Sequence, residues 1–437
     1  ANALGFMVIA FVDIEIVREL AFTATIGVTV MIITNKMLLP ILMSYYKFSP
    51  EEASKLAGKE TAGDWLWERI SPLATKQYGW IPIVIGLGLL AVGVYGRAQL
   101  HVGDLGTGVP ELWPDSRYNQ DVEVVTSHFA IGVDLLQIIA ETTPEGEEDS
   151  PCVKRDVMDR MEDFEFQMSQ VDGVATVRGL ASFAKGVTQD YAETFIKWRT
   201  LAESRAQLAQ SVSFATRLGS ELMDSRCHAM PVGIFTTDHQ APTIEHIVET
   251  VKKYNAASPE GADPKFRLAS GNVGVMAATN EAGHAADKWV NLALFASVSV
   301  LCLITFRSWR VTLCIILPLA LVTLLCNAVM AFLDIGLKVN TLPVVALGVG
   351  VGVDYGIYLF ERMKHEAEDM ALGLKDSFEE ALKQRGTASV FTAITMTISV
   401  ATWVFSALKF QADMGLLLAF MFLVNMFGAI LLLPGLA

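Results

Sequence analysis

Gly348-Val-Gly-Val-Gly-Val-Asp354-Tyr355-Gly356 sets one carboxylate in the apolar run 339–360. A bilayer core about 30 Å thick takes about 20 apolar residues in helical form. The 339–360 run has that length, and so do 21–43, 80–96, 289–306, 311–333, 388–407 and 413–434. Residues 1–11 read as the tail of a further span. The expected fold is therefore an α-helical polytopic membrane protein. Composition agrees: 18% of the 437 residues are charged, against about 25% in soluble domains. Charge is concentrated between residues 100 and 288, and long stretches elsewhere have none. The net charge of −14 argues against nucleic-acid binding, which calls for clustered Lys and Arg.

Lys and Arg in short loops orient the spans. Lys47, Lys55, Lys59, Arg69 and Lys76 lie between the first two spans, Arg307 and Arg310 in a short turn, and Arg362, Lys364, Lys375, Lys383 and Arg385 in 361–387. Threading the spans alternately puts all three groups on one side, the cytoplasmic one, and leaves 97–287 outside. That outer region reads as α+β. Strand-like 134–142, helical 153–171 and strand-like 173–178 are followed by a helical insertion, 183–225. Strand-like 230–236, helical 241–256 and strand-like 266–269 complete it. Val157, Met161, Phe164, Phe166 and Met168 give the first helix an apolar face; Ile244, Ile247, Val248 and Val251 do so for the second. The order is βαβ, insertion, βαβ, a split ferredoxin-like layout.

The domains follow: 1–43 closing one repeat, a cytoplasmic amphipathic linker 44–79, a span 80–96, the outer domain 97–287 and a five-span bundle 288–437. In the linker, Trp65, Trp67 and Ile70 are expected on one face. Phe378, Ala381 and Leu382 make a similar face in 376–385. Both segments suit the inner membrane surface, and serve equally as plain connectors.

An internal repeat organises the chain. The interval 11–40 matches 405–434 at an offset of 394: Phe11 and Phe405, Glu19 and Asp413, Leu38-Leu39-Pro40 and Leu432-Leu433-Pro434. Duplicated halves are common in transporters. At that offset the counterpart of Asp354 falls before residue 1. The chain is therefore expected to hold one whole half and the end of another, with the missing first half supplying a partner acid.

Among ionisable groups in the spans, Lys36 can snorkel to the surface, and Lys288, Glu361 and Asp413 lie at span edges. Asp354 is well inside, about 9 Å from the inner end at about 1.5 Å per residue. A carboxylate there costs on the order of 2.5–3.5 kcal/mol, so it must face protein or water, and it is a functional candidate by default. Moving a proton down a membrane potential yields about 2.3 kcal/mol per 100 mV. The alternative is a structural acid paired with a Lys or Arg on another span. Tyr355 and Tyr358 can donate to Asp354. Thr395 and Ser399, one turn apart in the next span, can relay protons if they face it; otherwise they bond their own backbone. Gly348, Gly352 and Gly356 form a small-residue stripe for close helix packing.

Cys302, Cys314 and Cys326 lie in apolar runs and read as small apolar residues. Cys152 and Cys227 are a candidate disulfide if the outer region faces an oxidising compartment, although spacing alone does not fix geometry. There is no metal-ligand spacing, no nucleophile–base pair and no cofactor motif.

The order of span, large outer α+β domain and five spans, with Gly-Val-Gly-Val-Asp354-Tyr355 in the fourth span of the half, resembles the resistance–nodulation–division (RND) superfamily. The likeness is greatest to its MmpL-like and hopanoid-exporter branch. Gly5-Phe-Met7, Val17-Arg-Glu-Leu20, Glu111-Leu-Trp-Pro-Asp-Ser-Arg-Tyr-Asn119 and the closing Leu-Leu-Pro are similar too. The resemblance implies an RND-type pseudo-repeat in the bacterial inner membrane, with a large periplasmic loop. It puts Asp354 and Tyr355 at proton-relay positions and makes the outer domain porter-like. One outer region of this length lacks room for a docking domain as well. That favours hand-over of hydrophobic or lipid-like cargo to a periplasmic carrier or accessory protein. Contact with membrane lipid and a homo-oligomer are expected. The expected function is proton-driven export of lipid-like molecules, without enzymatic chemistry. SecDF-like protein-export assistance and a Patched- or Niemann–Pick-like lipid-binding receptor are the alternatives.

Overall fold

The computed structural model describes residues 2–45, 64–75, 77–106, 108–129, 132–143, 150–217, 221–338, 341–369 and 373–436. Lys47, Lys55, Lys59 and Lys76 fall outside them. Helices α1 (Asn2–Ile9) and α2 (Glu15–Ser44) precede a short α3 (Asp64–Ile70) and α4 (Trp80–Ala98). Next come α5 (Arg117–His128), β1 (Leu135–Glu141), α6 (Arg155–Ser169), β2 (Val174–Arg178), α7 (Leu180–Tyr191) and α8 (Arg205–Arg217). Then β3 (Ala229–Thr236), α9 (Ala241–Ala257) and β4 (Lys265–Ser270) lead into α10 (Asn272–Phe306). The remaining helices are α11 (Trp309–Phe332), α12 (Leu342–Asp369), α13 (Leu374–Ala381), α14 (Thr387–Ala401), α15 (Lys409–Phe427) and α16 (Leu433–Leu436). The chain divides into two compact units, 1–102 with 282–437, and 103–281.

Among the described residues, seven helical segments are long and apolar enough to cross a membrane: Val17–Ser44, Trp80–Ala98, Asn272–Phe306, Trp309–Phe332, Leu342–Ala367, Leu374–Phe405 and Lys409–Leu436. Each overlaps one of the apolar runs read from the sequence. A helix is forced there because hydrocarbon offers no partner to backbone N–H and C=O groups. Residues 2–9 are helical as well, too short to count among the seven. The segments differ in burial. In Leu342–Ala367 78% of the apolar window is buried, against none in Val17–Ser44, so α12 is the centre of the first unit. It packs against α1, α11, α13 and α15. Close approach of α4 to α11 rests on glycine: a Cβ on Gly93 would come 3.1 Å from Leu324 Cβ.

The two amphipathic linkers meet each other. Phe378, Ala381 and Leu382 are fully buried, as their spacing suggested. Trp67 is buried, and its indole N–H donates to Thr387 Oγ1 at 3.2 Å. Trp65 points the other way and is 61% exposed. The single Trp face therefore needs correction: positions two apart on a helix lie about 200° apart.

The second unit contains a four-stranded sheet in the order β2-β3-β1-β4. All neighbours are antiparallel, with Leu136 opposite Ile234, Ile139 opposite Arg267 and Val177 opposite Ile234. Leu136, Ile138, Met230, Val232 and Ile234 share one buried core with Val157, Met161 and Phe164 of α6 and Ile244, Ile247 and Val251 of α9. Strand alternation sends these residues to the helix-covered face. Phe166, expected on the apolar face of α6, is 63% exposed; it sits two positions from Phe164, on the far side of the helix. The expected insertion is two helices, α7 and α8, packed together.

Candidate functional site around Asp354

Two faces of α12 do different work. On one, Gly348, Gly352 and Gly356 admit neighbouring helices: added Cβ atoms would come 3.0 Å from Met421 Cβ, 2.8 Å from Leu319 Cδ2 and 3.0 Å from Ile315 Cγ2. Met421 belongs to α15, and Leu319 and Ile315 to α11, so the stripe is the seam where three helices meet. Asn425 of α15 fastens it, donating from Nδ2 to the Gly348 carbonyl at 2.8 Å in a buried position.

The second face carries Gly350, Asp354 and Tyr358 at intervals of four, one above the other. A Cβ on Gly350 would lie 2.8 Å from Asn2 Oδ1, so α1 covers this face one turn before the acid. One turn on, Asp354 is half-buried. Tyr358 is 52% exposed. No described hydrogen bond or ion pair involves the Asp354 side chain. Among the described residues, the Lys or Arg partner that a purely structural acid would need is not there.

Tyr355 is buried and turned to the seam. Its hydroxyl has no partner among the described residues. The ring lines a gap with Ser389 of α14 and Met426, Ala429 and Ile430 beyond it. Thr395 and Ser399 are exposed, and the Thr395 hydroxyl donates to the Phe391 and Thr392 carbonyls at 2.9 and 3.0 Å. Of the two arrangements open to Thr395, this is the self-bonded one. The buried, unpartnered hydroxyl on α14 is Thr397. Asn425, Asn327 and Ser389 are not ionisable and so are not among the sequence candidates; an uncharged polar side chain in an apolar run is the signal that marks them. Asp287, just before the apolar run 289–306 and midway along α10, is also absent from the sequence candidates; it is buried, ion-paired with Arg97 of α4, and accepts from Asn291 Nδ2 at 2.8 Å. Asp413 pairs with Lys409 one turn before it, at 2.7 Å.

The second unit has its own buried polar groups. Cys152 and Cys227 come together as a disulfide, with Cα atoms 5.5 Å apart, inside the usual range. Glu165 accepts from the Ala181 and Ser182 amides at 3.2 and 2.8 Å, closing the N-terminus of α7. Burial pushes its carboxyl up to about 7, against the pull of those amide bonds. Burial also depresses His239, but its hydrogen bond to Asp134, at 3.0 Å, and that acid's charge outweigh this and hold the imidazole above its ordinary value. Among the described residues, no group of His, Cys, Asp and Glu side chains could hold a metal ion.

The chain is similar to known proteins at three levels. A membrane protein of Methanocaldococcus jannaschii is 27% identical over 139 residues, 32% of this chain and 36% of that one. The probable transport protein MmpL9 of Mycobacterium tuberculosis is 32% identical over 197 residues, 43% of this chain and 20% of the relative. The matched stretches thus span about a third or less of these relatives. In fold, the chain resembles the hedgehog release protein Disp from the water bear Hypsibius dujardini. That likeness has a TM-score of 0.62 at 12% identity and covers all of this chain and 57% of Disp. The MMPL family model matches residues 157–437, from α6 through the Asp354 helix to α16. With more than half of its sequence so matched, the chain belongs to the MMPL family.

Proposed function

We propose that the protein drives export of hydrophobic or amphiphilic, lipid-like molecules from a bacterial inner membrane, using protons that bind Asp354. One observation carries this reading. The acid is held in the most buried span, on a helix wedged by glycine contacts, and has no cationic partner among the described residues. Such a carboxyl can take up a proton from one compartment and release it to the other, because neither protonation state is locked by an ion pair. Tyr355 and Tyr358 flank it as relay groups. Ser389, lining the same gap as Tyr355, is better placed to extend the relay than the exposed Thr395 and Ser399. The half-open Asp354–Tyr358 face suits a further span from the first half of the polypeptide, bearing the partner acid.

Support for the outer domain comes from its sheet. The order β2-β3-β1-β4 with every pair antiparallel is that of a split ferredoxin-like βαβ pair. A porter-like periplasmic domain built this way would receive cargo and pass it to a periplasmic carrier. The arginines and lysines of 307–310 and 361–387 favour the opposite, cytoplasmic side for those turns.

In the intact protein, Asp354→Asn should abolish export of a lipid-like cargo while protein level and melting temperature stay unchanged. Continued export by the variant would end the proton-coupling proposal. A secretion defect without a cargo defect would point instead to protein-export assistance. The fold likeness to Disp favours one further reading, a lipid-binding relative in which Asp354 serves another cation. Transport that follows an imposed sodium gradient and ignores a pH gradient would select it.

A further inference from the structure

At the N-terminus of α11 and beside the C-terminal part of α12 a groove of about 460 Å³ opens between the helices. Its floor is apolar, formed by Leu313, Phe360 and Met363; Trp309, Arg310 and Lys364 line it too. Phe360, Met363 and Lys364 fall at i, i+3 and i+4, so α12 turns one continuous face to the groove. Arg310 stacks its guanidinium over the Trp309 ring at 5.9 Å. The N-terminus of α11 lies at the same place, and Ser308 makes no side-chain cap there. Its first amides are therefore unclaimed by the helix. Acyl-sized apolar space, two cations and uncapped amides at the end of a span are complementary to a chain carrying an anionic phosphate. An aromatic ring at that level fits the headgroup boundary.

We infer that this groove is a binding site for an anionic phospholipid, with the phosphate on Arg310, Lys364 and the α11 amides, and an acyl chain along Leu313, Phe360 and Met363. Lys364 lies about 15 Å along α12 from Asp354, at about 1.5 Å per residue. An occupied groove would brace the inner end of the helix that carries the acid. The inference does not depend on the transport reading.

The test is lipid retention by the intact, delipidated protein, measured by native mass spectrometry. Phosphatidylglycerol and phosphatidylcholine with identical chains are titrated in mixed micelles. The two cations should give phosphatidylglycerol about a 25-fold preference, roughly fivefold for each. Arg310→Gln with Lys364→Gln should erase the preference without loss of fold, checked by melting temperature. Leu313→Trp, which fills the groove and keeps both charges, should weaken binding of both lipids. Equal retention of the two lipids by the unaltered protein would overturn the inference. So would displacement of phosphatidylglycerol by inorganic phosphate with no effect of Leu313→Trp, which would mark a site for free phosphate alone.

Discussion

Replacing Gly352 by Ala adds one methyl group at the seam of α12, α11 and α15. That carbon would stand 2.5 Å from Asn425 Cγ and 2.8 Å from Leu319 Cδ2, where 3.4 Å begins ordinary contact. The neighbours must give way by 0.6–0.9 Å. Leu319 can adjust at its tip. Asn425 cannot move without stretching its 2.8 Å bond to the Gly348 carbonyl. Overpacking costs about 1–3 kcal/mol, and loosening a buried hydrogen bond adds about 1 kcal/mol. Alanine returns about 1 kcal/mol of helix propensity. The net loss is then about 1–3 kcal/mol, read as a lower melting temperature of the purified protein in detergent. Gly88→Ala in α4 is the control, because nothing lies within 4 Å of its added Cβ; it should be neutral or slightly stabilising. Asn425→Ala should remove most of the Gly352→Ala penalty, since the obstacle is that side chain. Additive losses in the double variant, or a Gly352→Ala protein as stable as the control, would refute the seam.

Two further tests concern the second unit, and a third concerns the first. Reducing Cys152–Cys227, which are 75 residues apart, should destabilise the second unit by about 4 kcal/mol in the chain-entropy limit; urea unfolding with and without reductant reads it, and coincident curves would count against the bond. Glu165 binds its proton more tightly folded, at about 7, than at its ordinary 4.5. Stability of the second unit should accordingly fall as pH rises from 4.5 to 7, by roughly 3 kcal/mol at most. Glu165→Gln should flatten that slope in the hydrogen exchange of the β3 amides, and an unchanged slope would show that another group sets it. Arg97→Ala leaves the Asp287 carboxylate buried without its cation and should cost about 1–3 kcal/mol. Arg97→Gln with Asp287→Asn should recover most of that loss in the same melt.

Long-range order was legible where one physical rule dominated. The seven spans stood out because hydrocarbon excludes charge over about 20 residues. The four strands and their flanking helices stood out through alternation and helical spacing. Asp354 was found because a carboxylate in an apolar run has few structural explanations. What the sequence leaves open depends on direction. Whether the Thr395 hydroxyl turns to Asp354 or to Phe391 is set by helix rotation within the bundle, and composition does not encode it. Trp65 and Phe166 were put on the wrong faces by position along the chain, where angle about the helix axis decides. The Asn425–Gly348 bond joins side chain and backbone across 77 residues, and no local pattern announces it. The Asp287–Arg97 pair was hidden in the same way, since each residue alone looks like a span edge.

Proton movement itself bears most directly on the role of Asp354. The intact protein is reconstituted in vesicles loaded with a pH-sensitive dye, a lipid-like cargo is added, and the internal pH is followed under an imposed gradient. Cargo-dependent proton flux is expected from the unaltered protein and none from Asp354→Asn, with equal reconstitution of both. Equal flux from the two would contradict a proton-carrying Asp354.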